Sequence, residues 1–218
     1  GCQAAWSADI ENYTGFQFIT GTDLFEKFRE HFSSYESIQV RENESVKCIN
    51  HAKDHFKVMT GQGEYMARTV IVATGRRPRS LGIPGEEEFK NKGVTYCATC
   101  DGPLFSGMQV AVVGGGNSAL DAALQMMPIA EKIYLININE GLMGDEVMKE
   151  KVTAAENVEV LNKTNIKEIS GDKFVSEITV EAGGEEKKLG VRGVFIEIGS
   201  VPVNEPVEPL LSTKSLRT

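Results

Sequence analysis

The sequence predicts an α/β protein with a doubly wound, three-layer parallel sheet and antiparallel β insertions. Three observations support this fold class. Strand and helix patterns alternate in the second half of the chain, a glycine-rich turn joins the first strand of that half to its first helix, and a β-rich stretch interrupts the alternation over residues 158–199. Such alternation is typical of parallel sheets, because a parallel connection must cross back over the sheet, usually as a helix.

Length and charge limit the possible functions. The chain has 218 residues, of which 41% are hydrophobic, enough for one large domain or two small ones. Its net charge is −8 and no stretch alternates basic with aromatic residues, so a nucleic-acid surface is not expected. No apolar run is long enough to span a bilayer. We therefore expect a cytoplasmic protein that acts without a membrane or a nucleic acid.

The first half of the chain predicts one helix followed by strands. Residues 22–35 form a helical pattern with four apolar side chains on one face, which we expect to lie in a core. These are Leu24, Phe25, Phe28 and Phe32. Short strand patterns follow, with a hairpin bend at Gly61–Gly63. Residues 69–75, TVIVATG, are rich in β-branched residues and predict a buried parallel strand.

A connector rich in proline and glycine follows at residues 76–89 and indicates a domain boundary. We predict one domain over residues 1–78, a second over residues 79–203 and a tail over residues 204–218. The acidic run Glu86–Glu88 within the connector is expected to be an exposed face.

The second half begins with the strand QVAVV, a glycine turn and a helix that ends before Pro128. A second strand and helix follow, and the later β-rich stretch contains a hairpin bend at Gly183–Gly184. The glycine turn fits the pattern G-x-G-x-x-A. It consists of Gly114, Gly115, Gly116, Asn117, Ser118 and Ala119.

Because this turn follows an apolar strand and begins a helix, it predicts a Rossmann-like dinucleotide site. Gly114 permits the tight turn, Gly116 lets the backbone approach a pyrophosphate, and Ala119 allows the helix to pack closely on the strand. The end of the following strand selects between NAD and NADP. It offers Asn137, which can bind a ribose hydroxyl, and no Arg or Lys lies between residues 133 and 148. We therefore predict a preference for NADH over NADPH.

Cys97 and Cys100, with Asp101 directly after them, form a separate motif. Two cysteines at this spacing bind metal, form a structural bridge or carry out redox chemistry. Zinc needs four ligands, and neither Cys2 nor Cys48 provides a second paired spacing, so we predict no metal site. A structural bridge is not expected in a reducing compartment, so redox exchange is favoured. Asp101 is either a proton carrier beside the second sulfur or a turn residue.

The stretch KGVTYCATCDGPLFSGMQVAVVGGGNSA resembles the low-molecular-weight thioredoxin reductases and the flavoprotein subunit of alkyl hydroperoxide reductase. The order of the redox pair and the nucleotide turn is characteristic of that family. The segments SADIENYTG, IVATG, IPGE and IEIGSVPV also lie where the family has similar sequences. Thioredoxin reductases usually carry arginines at the positions of Asn139 and Met143, so this region is more similar to the NADH-using peroxide reductases.

The resemblance implies a mechanism. A reduced nicotinamide passes a hydride to FAD, the flavin reduces the disulfide through Cys100, and Cys97 then attacks a disulfide of a partner protein. Asp101 handles the protons. Residues 76–82 and 199–203 correspond to the hinges of a rotation between two domains. The implied partner is a thioredoxin, a glutaredoxin-like protein or a peroxiredoxin, and the implied assembly is a homodimer.

The resemblance also predicts cofactor contacts. Flavin-contacting positions correspond to Gln3, Asn12, Thr74 and Gly75, and further cofactor contacts correspond to Ile198 and Gly199. The family has a second nucleotide-binding turn, for FAD, which would lie before residue 1, and a further FAD segment after about residue 205. Residues 1–78 are therefore expected to be the middle of an FAD-binding domain, and the chain to be a fragment of a longer reductase rather than a natural short form.

Two alternatives to this function are open. In the first alternative, the chain is a nucleotide-binding module that senses NAD(H) without turnover. In the second, it is a reductase whose electrons come from a different donor such as ferredoxin.

Overall fold

The computed structural model of the chain describes residue 5 and residues 10–210, which fold as two compact units. The large unit contains Pro78–Ser200 together with the described residues before Asp23, and the small unit contains Asp23–Arg77 and the residues from Val201. The helices are α1 (Gly21–Ser33), α2 (Ala98–Asp101), α3 (Asn117–Met126) and α4 (Glu146–Ala154), with 3₁₀ turns at Gly102–Phe105 and Glu205–Leu210. The strands are β1 (Val46–Ala52), β2 (His55–Thr60), β3 (Glu64–Ala67), β4 (Arg76–Pro78), β5 (Val94–Thr95), β6 (Gln109–Val113), β7 (Lys132–Ile136), β8 (Val158–Leu161), β9 (Thr164–Gly171), β10 (Val175–Ala182), β11 (Glu185–Gly190), β12 (Gly193–Ile196) and β13 (Ser200–Pro202).

The large unit is built on a five-stranded parallel sheet in the order β5-β12-β6-β7-β8. β6 lies at its centre, where Val110 pairs with Gly193 of β12 and with Ile133 of β7. Because side chains alternate between the two faces of a strand, each face of this buried sheet needs its own apolar cover.

Helices cover one face of the sheet. Val110 and Val112 of β6 lie in one core cluster with Leu120 of α3 and Val152 of α4. All four side chains are fully buried. Helices α3 and α4 therefore return the chain over this face after β6 and β7, as the sequence pattern predicts.

An antiparallel sheet, in the order β11-β10-β9, covers the other face. Ala111 and Val113 of β6 lie in a second core cluster with Ile166 of β9 and Ile178 of β10. β10 and β11 form the hairpin predicted at Gly183–Gly184. The predicted α/β class, the parallel sheet, the antiparallel insertion and the three layers are confirmed, although this face is covered by strands rather than by a second layer of helices.

The small unit contains helix α1 and an antiparallel sheet in the order β1-β2-β3. The hairpin between β2 and β3 bends at residues 61–63, as predicted. The apolar face of α1 differs from the prediction, because Leu24 is buried whereas Phe25 and Phe28 are 41% and 44% exposed.

The prediction of a parallel strand at residues 69–75 is wrong. These residues form no strand, and the side chain of Ile71 is 94% exposed. A β-branched run forms a strand only where a neighbouring strand satisfies its backbone groups, and no described strand pairs with this run.

The chain crosses between the units twice, through β4 and β13, which pair with each other. The residues next to these strands are glycines with positive φ angles, 74° at Gly75 and 90° at Gly199. Glycine is favoured there because other residues rarely adopt positive φ. Among the described residues, no helix has both the length and the apolar character needed to cross a membrane.

The acidic run in the connector is not wholly exposed, because Glu86 is 2% exposed. Its carboxylate accepts hydrogen bonds from the backbone amides of Leu81 (3.0 Å) and Gly82 (2.7 Å) and from the hydroxyl of Tyr96 (2.7 Å). Burial, followed by this contact with Glu86, raises the pKa of the Tyr96 hydroxyl well above its ordinary value. Glu86 therefore links the middle of the connector to Tyr96, the residue that precedes Cys97.

We expect Glu86→Gln to destabilise the chain by about 2–3 kcal/mol. The neutral amide weakens three charge-assisted hydrogen bonds, and its NH₂ group faces N–H or O–H groups that are themselves donors. Glu88→Gln is the matched control, since Glu88 is exposed, and it should change stability by less than about 0.5 kcal/mol. Urea unfolding of the two variants measures the difference. Equal unfolding midpoints would show that Glu86 does not hold the connector.

Candidate active site

The two predicted redox cysteines form a disulfide in the large unit. Cys97 lies directly before α2, is half-buried, and its Sγ accepts a hydrogen bond from the backbone amide of Cys100 at 3.2 Å. Cys100 is exposed. The pair therefore follows the end of β5, with one of its two cysteines accessible from solvent.

Asp101 is held by a residue that sequence reasoning did not identify. Thr95, at the end of β5, donates its hydroxyl hydrogen to the Asp101 carboxylate. The same hydroxyl oxygen accepts a hydrogen bond from the backbone amide of Cys97 at 3.2 Å. Thr95 is 6% exposed, so this buried hydroxyl fixes both the acid and the first cysteine. No residue pattern in the sequence marks it.

A second polar connection runs from the redox motif to the nucleotide helix. The hydroxyl of Thr99, between the cysteines, donates to Gln125 Oε1 at 2.8 Å. Gln125 Nε2 donates to Asp121 Oδ2 at 2.7 Å. Since Asp121 and Gln125 lie on consecutive turns of α3, these bonds set the position of α2 against α3.

The predicted glycine turn lines a cavity of about 530 Å³ beyond the carboxyl ends of β12, β6 and β7. Gly114 has φ of +143°, and a Cβ there would collide with the backbone carbonyl of Glu197. Gly116 is different, because a Cβ there would meet no atom within 4 Å. The turn therefore needs Gly114 for its own folding, whereas the open side of Gly116 leaves room for a bound group.

Most predicted nucleotide contacts meet at this cavity. The residues that line it include Gly114, Gly115, Gly116, Asn117, Ser118, Asn137, Ile198 and Gly199. Ala119 does not line it and is fully buried in the core, where its small side chain lets α3 approach the sheet. The described residues thus form an open cradle that suits the pyrophosphate and sugars of a nicotinamide dinucleotide.

Asn137 is fully buried, and its amide is already used. Its Nδ2 donates to Asn162 Oδ1 at 2.8 Å, and its Oδ1 accepts from the Asn139 backbone amide at 3.1 Å. A Cβ at Gly115 would collide with this side chain. The Asn137 side chain therefore packs against the glycine turn at Gly115. Its hydrogen bond to a ribose remains a prediction.

Arg79 lines the same cavity and was not identified from the sequence, where only residues 133–148 were considered for a cation. Its side chain is exposed, and no ion pair links it to the part of the chain that the structure describes. At the other end of the cavity, near Asn139, Lys163 is paired with Glu140 at 2.6 Å. The cavity thus has one cation without an acidic partner among the described residues.

Glu197 is a further residue that the sequence analysis did not select. It follows β12, lines the cavity and is half-buried. Burial, followed by the negative charge of Asp121, raises the pKa of its carboxyl to about 7. A carboxyl that changes charge near neutral pH inside a cleft is typical of functional sites.

A smaller cavity of about 390 Å³ adjoins Asp101. Its walls are mainly apolar and include Leu104, Phe105 and Met108. The side chain of Leu104 is 71% exposed at its rim. An apolar surface therefore lies beside the accessible end of the redox motif.

The predicted flavin contacts are not part of either cavity. Asn12, Thr74 and Gly75 are exposed, and the first belongs to the large unit and the others to the small unit. Gln3 lies outside the described residues. Among the described residues, no group of three or more His, Cys, Asp or Glu side chains is placed to hold a metal ion.

Comparison with known proteins gives three consistent matches. A family model described as pyridine nucleotide-disulphide oxidoreductase matches residues 3–214. An NADH dehydrogenase of Bacillus subtilis is 39% identical over 211 residues, covering 95% of this chain and 41% of the relative. An alkyl hydroperoxide reductase subunit of Pseudomonas aeruginosa is 36% identical over 212 residues, covering 94% of this chain and 40% of the relative.

A solved structure, thioredoxin reductase of Lactococcus lactis, matches with a TM-score of 0.86 and 31% identity, covering 99% of this chain and 71% of that one. The chain therefore shares the fold of thioredoxin reductases, but it spans about two fifths of the length of the two curated relatives.

We expect Gly116→Ala to weaken dinucleotide binding at least about tenfold, because the added methyl group occupies the approach of the pyrophosphate. Its φ of −98° suits alanine, so stability should change by no more than about 1 kcal/mol. Gly141→Ala is the control, because a Cβ there also meets no atom within 4 Å and Gly141 does not line the cavity. Titration calorimetry with NADH measures both; equal affinities of the two variants would contradict the assignment of the cradle.

Proposed function

The chain belongs to the pyridine nucleotide-disulphide oxidoreductase family, and from this premise we propose that it passes electrons from NADH, with FAD as intermediary, to the Cys97–Cys100 disulfide and then to a disulfide of a partner protein. It is a thioredoxin reductase-like oxidoreductase. The observation that carries the proposal is the redox disulfide in the same compact unit as the dinucleotide cradle.

The nicotinamide supplies a hydride when it is bound, and the disulfide accepts two electrons and two protons to become two thiols. The cradle at Gly114–Gly116 binds and orients the dinucleotide. Gln125 holds α2 against α3 through Thr99, so the disulfide and the cradle keep one geometry. FAD is proposed from the family, and Asn12, Thr74 and Gly75 stay predicted contacts for it.

Exchange with the partner is proposed to start at Cys97. Its thiolate attacks one sulfur of the partner disulfide, and the other partner sulfur leaves as a thiolate. Cys100 then attacks the mixed disulfide, which restores the Cys97–Cys100 bond and releases the partner as a dithiol. Asp101 takes and returns the proton, since Thr95 holds its carboxylate beside the pair.

The partner is proposed to be a thioredoxin-like or glutaredoxin-like protein or a peroxiredoxin. The exposed apolar rim at Leu104, beside the redox motif, supports docking of a protein rather than of a small polar disulfide. The segments 76–82 and 199–203 are proposed as hinges, which the glycines beside β4 and β13 support. A homodimer and a cytoplasmic location stay predictions.

We expect the reduced Cys100→Ser variant to accumulate a mixed disulfide with oxidised thioredoxin, because Cys97 attacks and no second thiol resolves the product. Cys97→Ser should accumulate less than about a tenth as much. Non-reducing electrophoresis with mass spectrometry measures the adduct. Adding Cys48→Ser to the first variant is the control and should leave trapping unchanged. Equal trapping by both single variants would contradict the assigned roles.

We expect NADH to bind at least about tenfold more tightly than NADPH, because a 2′-phosphate near Asn139 faces the Glu140 carboxylate, and the nearby Lys163 is already paired with that carboxylate. Arg79→Gln tests the remaining cation of the cavity. If Arg79 contacts the pyrophosphate, the variant weakens both nucleotides by a similar factor. Equal or tighter binding of NADPH by the parent chain, lost selectively in Arg79→Gln, would overturn the preference.

A further inference from the structure

The two ends of the dinucleotide cavity have different chemistry. In Rossmann-like sites the pyrophosphate lies at the glycine turn and the adenosine lies beyond the next strand, which is β7 here. The nicotinamide is then left with the opposite end, beyond β12. This placement rests on the proposed function, and it puts Glu197 and Gly199 beside the reactive ring.

Glu197 is fixed at that end by its backbone. Its amide donates to the carbonyl of Val113 at 2.8 Å, which ties it to the last residue of β6. Its own carbonyl lies against Gly114, where an added Cβ would collide with it. The backbone of Glu197 is therefore held in place beside the glycine turn.

Burial and one neighbouring charge act on the Glu197 carboxyl. Asp121 lies on α3, and its charge acts on Glu197. Arg79 lines the same cavity from the connector. Burial is the larger cause that raises the pKa of the Glu197 carboxyl to about 7, and the negative charge of Asp121 is the second. The neighbouring Cys97–Cys100 pair does not titrate while it is oxidised. The Glu197 carboxyl therefore changes its charge near neutral pH.

The nicotinamide ring also has two charge states. It is neutral in NADH and carries a positive charge in NAD⁺. An ionised carboxylate attracts only the cationic ring, and a half-buried site screens that attraction less than water does.

We propose that Glu197 distinguishes the oxidation state of the bound nicotinamide. When NADH is bound, the carboxyl is present in both its protonated and its ionised form. When NAD⁺ is bound, it is ionised. Binding of NAD⁺ to the protonated form therefore breaks the Glu197 O–H bond and releases that proton to solvent, with no change in electron count. NAD⁺ affinity rises with pH through about 7, because below that pH the proton must be displaced.

The test measures binding rather than turnover. Titration calorimetry of the chain with NAD⁺ and with NADH at pH 6 and pH 8 should show NAD⁺ binding about tenfold more tightly at the higher pH and NADH changing less than about twofold. Repeating the NAD⁺ titration at pH 7 in two buffers of different ionisation enthalpy should detect the release of a fraction of a proton per bound NAD⁺.

Variants assign the effect to the carboxyl. Glu197→Gln should bind NAD⁺ equally at both pH values, with the weak affinity of the parent at pH 6. Asp121→Asn removes the negative charge that raises the pKa of Glu197, so the increase in NAD⁺ affinity should occur at lower pH. Asp121 is exposed on α3, so this variant tests the Glu197 carboxyl without changing Glu197 itself. Glu150→Gln, exposed on α4 and outside the cavity, should keep the parent profile.

Two results would overturn the inference and separate it from the proposed function. Parallel pH profiles for NAD⁺ and NADH, with unchanged profiles in the variants at Glu197 and Asp121, would remove the inference and leave the proposed function intact. Failure of both nucleotides to bind at either pH would remove the inference together with the nucleotide part of the proposed function.

Discussion

The parallel pairing of β5, β12, β6 and β7 is the constraint on which the rest of the structure depends. Parallel strands end at one edge of the sheet, so the glycine turn after β6, Glu197 after β12 and Cys97 after β5 must all lie at that edge. The pairing itself rests on burial of alternate β6 side chains against two different layers. The nucleotide cradle and the disulfide therefore share one rigid base within the large unit.

The sequence predicts the parts of this arrangement that follow from local patterns. The β6–turn–α3 segment, the hairpin at Gly183–Gly184 and the C-x-x-C pair are confirmed, because periodicity, glycine content and spacing are local properties. The strand expected at 69–75 is wrong, since pairing depends on a neighbour that no local pattern reveals. Glu86 was expected on the surface for the same reason: its burial depends on amides and a hydroxyl that meet it only after folding.

The residues that the sequence did not identify share a second property. Thr95, Arg79 and Glu197 are ordinary residue types without a motif, and each gains its role from a contact across the fold. Thr95 is defined by the Asp101 carboxylate and Arg79 by the cavity that it lines. Glu197 is defined by burial and by the charge of Asp121. Chemistry that depends on a pKa or on a cation that lines a cavity is tertiary information, whereas chemistry that depends on backbone freedom, as at Gly114, is visible in the sequence.

The position of Glu197 also bears on the direction of electron flow. In the proposed reaction, oxidation of NADH creates a positive ring next to this carboxyl, and ionisation of the carboxyl stabilises the product state. As the pH falls, protonation of Glu197 competes with this attraction, and the oxidised nucleotide leaves more readily. A glutamine at the same place would keep the shape of the cavity but lose this coupling between ring charge and proton. The acid is therefore better explained by the change of charge during the reaction than by binding of the reduced cofactor.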